Sequence, residues 1–353
     1  MSLASFRVGD RVIGAAAPAF LVAEAGVNHN GDPALARRLI AAAAAAGADA
    51  VKFQTFRAEA LVTRHAPKAA YQAETTGSGE GQWEMLGRLE LGPEAHAALC
   101  DESAKRGILF FSSPFDEASA DTLEALGVAL FKLPSGEITN PRLLRHVAAK
   151  GRPIILSTGM STLDEVAAAV AVIRGAGDPP LALLHCVSAY PAPAEETNLR
   201  AVDTLRERFG CPVGLSDHTT GIEIALAAVA RGAAIVEKHF TLDKGLPGPD
   251  HRASLEPDEL AGLVRAVRRV EAALGDGEKR PMPSEADTRR VARKSLVAAR
   301  AIRPGERLTA DLIAVKRPGT GISPADLDRA LGRTVVRALA ADEVIDWAAL
   351  GDA

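Results

Sequence analysis

The sequence predicts a (β/α)8 barrel followed by a small β-rich domain. Three observations predict it. Eight short β-rich runs alternate with longer, alanine-rich helical stretches. Together they fill about 250 residues, the usual size of such a barrel. The pattern then breaks after Leu274 into a polar stretch containing Gly and Pro. Continuously apolar strands, each followed by a helix, imply parallel pairing with the outer face covered. An open doubly wound sheet is the other arrangement of these elements, but no G-x-G-x-x-G follows the first strand.

In chain order, FRVGDRVIG reads as a hairpin that plugs the barrel floor. FLVAEAG, from Phe20, is the first strand. Its helix starts at Asp32-Pro33, an acidic cap with proline in the first turn. The apolar stretch from Leu39 to Val51 is broken by Gly47 and Asp49 and is too short to span a bilayer. Its alanines suit a helix packed closely on a sheet. DAVKFQTF, from Asp49, is the second strand, and residues 57–90 read as a loop-like insert ending in helical GQWEMLGRLEL. The remaining strands are ILFFSSPF, ALFKLPSGE, PIILSTGM, LALLHCVSAY, PVGLSDHT and AAIVEKHF. Helices between them open near Asp116, Asn140, Thr162 and Asn198, and the last runs from about Pro257 to Leu274. The expected organisation is a catalytic barrel over 1–275, a linker over 276–293 and a small domain over 294–353, near the lower size limit for independent stability.

Composition narrows the function. Among 353 residues, 45 acidic against 41 basic side chains leave a net charge of -4, which argues against broad capture of nucleic acid or anionic lipid. Aromatics at 4% are too few for a base-stacking platform. Cys100, Cys186 and Cys211 are widely spaced, without C-x-x-C, and read as buried thiols in a reducing compartment. No secretory signal opens the chain, so a cytoplasmic protein is expected.

Almost every strand ends in polar groups. They are Glu24, with Asn28 and His29 beyond; Lys52 and Gln54; Ser112 and Ser113; Lys132, Ser135 and Glu137. The later strands end in Ser157 and Thr158; His185, Ser188 and Tyr190; Ser216, Asp217 and His218; and Glu237, Lys238 and His239. In a barrel these ends converge on one mouth. Lys52 and Lys132 stand inside apolar strands, and a buried ammonium needs an anion. With Ser135, Ser157 and Ser216 they form a cage suited to phosphate and carboxylate oxygens. The alternative is a pair of structural salt bridges with Glu24 or Glu137. His218 and His239 end consecutive strands and suit a divalent ion; by spacing alone, two solvated histidines fit equally. Asp250 lies in a turn-rich loop over the mouth. Arg317, in KRPGTG, fits either an ordinary surface turn or a cation reaching into a neighbouring cavity.

These motifs together resemble the sialic acid synthase family, which condenses phosphoenolpyruvate with an N-acylated hexosamine. The likeness covers nearly the whole chain: EAGVNHNG, VKFQTF, FKLPSGE, LSTGM, LHCVSAYP, GLSDHT, VEKHFT, PGPDH and KRPGTG, in order. The resemblance implies a barrel with a C-terminal antifreeze-like (SAF) domain, in a domain-swapped homodimer. It implies that Lys52, Lys132, Ser135, Ser157, Ser188 and Ser216 hold phosphoenolpyruvate. It implies that His218 and His239 ligate Mn²⁺, with Mg²⁺ or Co²⁺ as substitutes. Gln54, Tyr190 and Asp250 would line the amino-sugar site with Glu24 and Glu137, these two being the candidate catalytic carboxylates, and Arg317 would come from the other subunit. Two departures stand out: Ser188 replaces the Asn of some members, and Pro134 removes an N–H where Gly is common. The implied product is N-acetylneuraminate from N-acetylmannosamine, or a legionaminic acid from a 2,4-diacetamido-trideoxy mannose. Readings from other classes are a Schiff-base aldolase using Lys52 or Lys132, and a non-catalytic sugar-binding protein.

Overall fold

The structure, a computed structural model, describes residues 5–14 and 17–352. The chain divides into two compact units, Met1–Gly275 and Asp276–Ala353. The first opens with an antiparallel hairpin, β1 (Ser5–Val8) and β2 (Arg11–Gly14). Eight parallel strands follow: β3 (Phe20–Gly26), β4 (Ala50–Thr55), β5 (Leu109–Pro114), β6 (Phe131–Leu133), β7 (Ile154–Ser157), β8 (Leu181–Cys186), β9 (Val213–Asp217) and β10 (Ile235–His239). Their order is β5-β4-β3-β10-β9-β8-β7-β6. The two end strands β5 and β6 lie side by side, so the sheet curls into the expected barrel.

Successive side chains on a strand point to opposite faces, and this sorts the core into two layers. Outward residues such as Val51, Phe53, Leu133 and Leu183 pack with Leu39, Leu99, Leu144 and Ile173 of the helices. Inward residues Phe20, Val22, Phe111, Leu130, Ile155 and Leu184 fill the barrel. Burying each large apolar side chain contributes about 1.5–3 kcal/mol. Val8 and Ile13 of the hairpin belong to the inner layer, so the hairpin does plug the floor. At Gly214 a Cβ would stand 2.3 Å from the Ile235 carbonyl oxygen and 2.8 Å from Leu184; only glycine fits the barrel there.

The helix caps follow the sequence, with one exception. Asp32 accepts from the Ala34 N–H at 2.8 Å and opens Pro33–Ala46. Asp116, Asn140 and Thr162 cap Glu117–Ala125, Pro141–Ala148 and Leu163–Gly175 in the same manner. Asn198 does not cap. It adopts a left-handed conformation (φ 46°), and the helix Ala201–Phe209 opens after Arg200 without a side-chain cap. The insert is also more ordered than its composition implied. It forms three short helices, Ala58–Leu61, Ala70–Thr76 and Gln82–Gly87, because Met85, Leu86 and Leu89 bury against Val27 and Phe56. The final barrel helix spans Pro257–Leu274.

In the second unit, β11 (Ser295–Ala298) pairs antiparallel with β12 (Ile313–Lys316). Leu296, Ile302, Leu312, Val335 and Ile345 form its core, and a helix, Ala286–Ala292, precedes it. Among the described residues, no helix is long and apolar enough to cross a membrane. The three cysteines are free.

Candidate active site

The inward positions change character along the strands. Above the apolar layer come Glu24 on β3, Lys52 on β4, Lys132 on β6 and Glu237 on β10. Ser113, Ser157, Cys186 and Ser216 complete the ring from the strands between. Register makes neighbours of them: Glu24 stands opposite Lys52 on one side and His239 on the other, and Glu237 opposite Ser216. These side chains line one cavity of about 440 Å³, together with Gln54, Ser135, Ser188, Tyr190, His218, His239 and Asp250.

Glu237 is the hub of the ring. Its Oε1 accepts from Lys132 Nζ and from the Ser216 hydroxyl, each at 2.9 Å. Its Oε2 lies 2.9 Å from Lys52 Nζ, which is also 3.4 Å from Glu24 Oε2. Gln54 Nε2 donates to the other Glu24 oxygen at 3.1 Å. Burial disfavours charge on Glu237, but Lys132 and Lys52 outweigh it and hold its carboxyl well below the usual range. Lys52 is likewise penalised by burial, and Glu237 and Glu24 override this to keep it firmly protonated. Burial pushes Glu24 up to about 7 against the pull of Lys52. It pushes Lys132 down to about 8, despite the Glu237 carboxylate. The ring therefore sets two lysines against one firm carboxylate, Glu237, and one carboxyl, Glu24, that burial raises toward its neutral form. Two buried cations with one firm counter-ion suit an added anion.

Donors wait beside it. The Ser113 and Ser157 hydroxyls are buried without hydrogen-bond partners. Ser135 Oγ accepts from the Gly159 N–H at 2.9 Å and stands 3.2 Å from Cys186 Sγ. A Cβ on Gly159 would meet the Ser188 and Ser135 hydroxyls at 2.4 and 2.9 Å, so glycine keeps this corner open.

At the rim, the rings of His218 and His239 lie 5.3 Å apart. Burial lowers His218 to about 4, and burial with the neighbouring His218 holds His239 well below its ordinary value. Both present neutral imidazoles. His218 Nδ1 bonds the Val187 carbonyl at 2.7 Å, leaving Nε2 with a 3.4 Å contact to Ser216. His239 Nδ1 and Asp250 Oδ1 are buried and unpartnered, and His239 Nδ1 lies 3.9 Å from Asp250 Oδ2. Lone pairs left unused in this way fit a divalent cation that completes its shell with non-protein oxygens. Among the described residues, no three His, Cys, Asp or Glu form a closed metal cage.

One sequence candidate stands elsewhere. Glu137, in the 3-10 turn after β6, does not line the cavity. Its carboxylate accepts from Asn140 Nδ2 at 2.7 Å, which steadies the cap of the next helix. Arg317 is an exposed residue of the second unit. Nor do all strand-end polar groups reach the mouth. Ser112, His185, Asp217 and Lys238 occupy outward positions, where Ser112 bonds Thr55, His185 bonds the Thr197 carbonyl, and Asp217 pairs with Lys238. Asn28 and His29 make structural bonds to Ser254 and to the Gly31 N–H. Conversely, Glu237 stands outside the sequence's candidate set, although its i, i+2 relation to His239 places both on the inward face. Tyr71 and Gln72 of the insert also line the cavity; no periodic signal places a loop residue.

A barrel whose C-terminal mouth carries an incomplete buried charge ring and two unprotonated imidazoles is a (β/α)8 enzyme. The chain belongs to the NeuB family, whose model matches residues 39–279; residues 293–351 match the SAF domain. It is 47% identical to an N,N'-diacetyllegionaminic acid synthase of Campylobacter jejuni, covering 92% of this chain and 98% of that protein. A protein of the same name from Legionella pneumophila is 45% identical, with 95% of both chains covered. The solved N-acetylneuraminic acid (sialic acid) synthetase of Leptospira borgpetersenii, in complex with citrate, superposes with a TM-score of 0.72. It is 38% identical and covers 81% of this chain and 95% of that one.

Proposed function

We propose that the chain condenses phosphoenolpyruvate with the open-chain form of an N-acyl amino sugar and water. The products are a nine-carbon nonulosonic acid and phosphate, released by C–O cleavage. The observation that carries this reading is the ring of Lys52 and Lys132 over a single firm carboxylate, beside unpartnered hydroxyls and facing two neutral imidazoles.

In this reading Lys52 and Lys132 hold the phosphate and carboxylate of phosphoenolpyruvate, with Ser135, Ser157, Ser188 and Ser216 offering hydroxyls. His218 and His239, with Asp250 at the edge, hold a divalent ion, Mn²⁺ before Mg²⁺ or Co²⁺. When bound, such an ion supplies Lewis-acid polarisation of the sugar aldehyde. Carbon 3 of phosphoenolpyruvate attacks that aldehyde, leaving cationic character at carbon 2. Glu24, near its midpoint at neutral pH, takes the proton of the water that adds there. The tetrahedral intermediate then expels phosphate, whose charge the two lysines stabilise. Gln54 orients Glu24, and Tyr190 presents its ring to the sugar.

The acceptor we propose is 2,4-diacetamido-trideoxy mannose, giving N,N'-diacetyllegionaminate, the name borne by the relatives at 47% and 45% identity. N-acetylmannosamine, giving N-acetylneuraminate, is the second reading, supported by the 38% identity to the Leptospira synthetase. Arg317, exposed and free of any ion pair among the described residues, is proposed to reach the N-acyl group from a second copy in a homodimer. Mixing R317A and H239A chains tests this. Swapped dimers regain about a quarter of wild-type activity by subunit statistics, whereas a residue acting within its own chain restores none.

The function itself is tested by phosphate release from phosphoenolpyruvate with each sugar, before and after chelation, with mass spectrometry of the product. A metal-dependent nine-carbon acid is the expected result. A borohydride-trapped pyruvate adduct in metal-free buffer would establish the Schiff-base reading instead. Ligand binding with no phosphate release would establish the non-catalytic one.

A further inference from the structure

The second unit devotes a buried hydroxyl to the turn that carries Arg317. Ser295 opens β11 and pairs across the ladder with Lys316, the residue before Arg317. Its side chain is fully buried. The hydroxyl donates to the Pro318 carbonyl at 2.7 Å and accepts from the Gly321 N–H at 2.9 Å. Pro318 has no N–H of its own, and the Gly319 N–H donates to the Arg290 carbonyl at 2.8 Å. The turn is thus bonded on two sides, to the start of β11 and to the helix Ala286–Ala292 before it.

Close packing fixes the same geometry. A Cβ on Gly319 would stand 2.6 Å from the Arg293 Cβ, and one on Gly321 would overlap the Val344 side chain and the Ile345 carbonyl. Only glycine lets the turn lie this close to those segments. Beyond it, the Leu296 N–H donates to the Ile322 carbonyl and the Ile322 N–H to the Ile345 carbonyl, each at 2.8 Å. Ile322 belongs to the core of the unit. Lys316, the neighbouring cation, is paired with Asp342, so Arg317 is an uncommitted cation on an anchored base.

From this we infer that Ser295 is a positioning residue that sets the aim of Arg317, with Gly319 and the Arg290 carbonyl completing its mount. The stretch over 276–293, which the sequence presents as a linker, then has a second task, because its helix supplies that carbonyl. The inference rests on the reach of Arg317 into a second copy proposed above. Its physical basis is preorganisation. A side chain that must meet a ligand held by another chain gains from a backbone that is already fixed, because ordering the turn during binding costs conformational entropy. Ser295→Ala leaves the Pro318 carbonyl and the Gly321 N–H without their partner, and the turn shifts to recover hydrogen bonds. A misplacement of about 1 Å can lower turnover by about 10²-fold.

The test measures kcat/KM for the amino sugar by phosphate release in full-length Ser295→Ala, Arg317→Ala and the double variant. Ser295→Ala is expected to lose about 10- to 100-fold, with the KM for phosphoenolpyruvate unchanged. Added to Arg317→Ala it should cost less than about twofold more, because a mount without its cation has nothing to aim. Gly319→Ala keeps the Ser295 hydroxyl but crowds Arg293; it should behave alike, and it decides the matter if Ser295→Ala does not fold. Subunit mixing supplies a readout that lost stability alone would not move. Ser295→Ala mixed with His239→Ala regains about a quarter of wild-type activity, whereas Ser295→Ala mixed with Arg317→Ala regains none, both faults lying in the same arm. Wild-type activity in folded Ser295→Ala and Gly319→Ala, or losses that multiply with that of Arg317→Ala, overturn the inference and leave the role of Arg317 standing. Unimpaired turnover in Arg317→Ala overturns that role and the inference with it. Absence of phosphate release from the wild-type chain overturns the condensation itself.

Discussion

Glu237 and Lys238 are adjacent in the chain, both are buried, and both make ion pairs, yet they do opposite things. Lys238 points outward and bonds Asp217 at 2.8 Å and the Thr219 carbonyl at 2.7 Å. Asp217 in turn accepts from the Thr219 N–H and hydroxyl at 2.9 and 2.7 Å. The set is closed. Glu237 points inward to two lysines in a ring where Ser113 and Ser157 keep unpartnered oxygens. Burial alone does not separate structural from functional charge; completeness of the hydrogen bonding does.

Removing one cation from each set separates the two. Lys132→Met is expected to cost about 10³-fold or more in kcat/KM for phosphoenolpyruvate, because a preorganised charge is lost where phosphate departs. A loss under tenfold in steady-state assays contradicts the anion cage. Lys238→Met leaves Asp217 buried without its counter-ion, so unfolding free energy falls by about 3–5 kcal/mol in denaturant titration. Its folded fraction keeps kcat within a few-fold of wild type; a selective loss of turnover would make this pair part of the chemistry.

A smaller effect separates buried histidines from exposed ones by pH. Burial lowers His29 to about 4, from an ordinary 6.5. Between those values the unfolded chain binds the additional proton. The stabilisation is therefore complete above pH 6.5 and lost as pH falls toward 4, amounting to about 3 kcal/mol. In His29→Asn, unfolding free energy against pH should flatten by about one proton across that window. An unchanged slope would show that His29 does not carry it. The smallest effect is at Thr162, whose side chain caps Leu163–Gly175 with Glu165. Thr162→Ala should lower stability by about 1 kcal/mol and leave turnover alone. A kinetic change would tie this helix to the cavity, which touches the preceding loop at Met160.

The fold was legible because two periods alternate along the barrel sequence, broken once by the insert over 57–90. Eight apolar strands and capped helices leave few topologies open. Most of the site was legible for the same reason, since polar residues at strand ends converge on a barrel mouth. What failed was finer than the strand. Position at a strand end groups Asp217 and Lys238 with Ser216 and Glu237, although period-2 alternation divides them. The resemblance carried by FKLPSGE makes Glu137 a candidate, but the 3-10 turn Ser135–Glu137 directs it to Asn140. Tyr71 and Met85 lie in an insert whose placement depends on long-range burial against Val27 and Phe56, which no local pattern announces.

In the proposed reaction the inward ring holds phosphoenolpyruvate so that its carbon 2 to oxygen bond, not its phosphorus to oxygen bond, is broken. Phosphoenolpyruvate carrying ¹⁸O in the bridging position tests this directly, with the phosphate read by ³¹P NMR during turnover with the amino sugar and Mn²⁺. Label recovered in inorganic phosphate is the predicted result. Label retained in the sugar acid would contradict it.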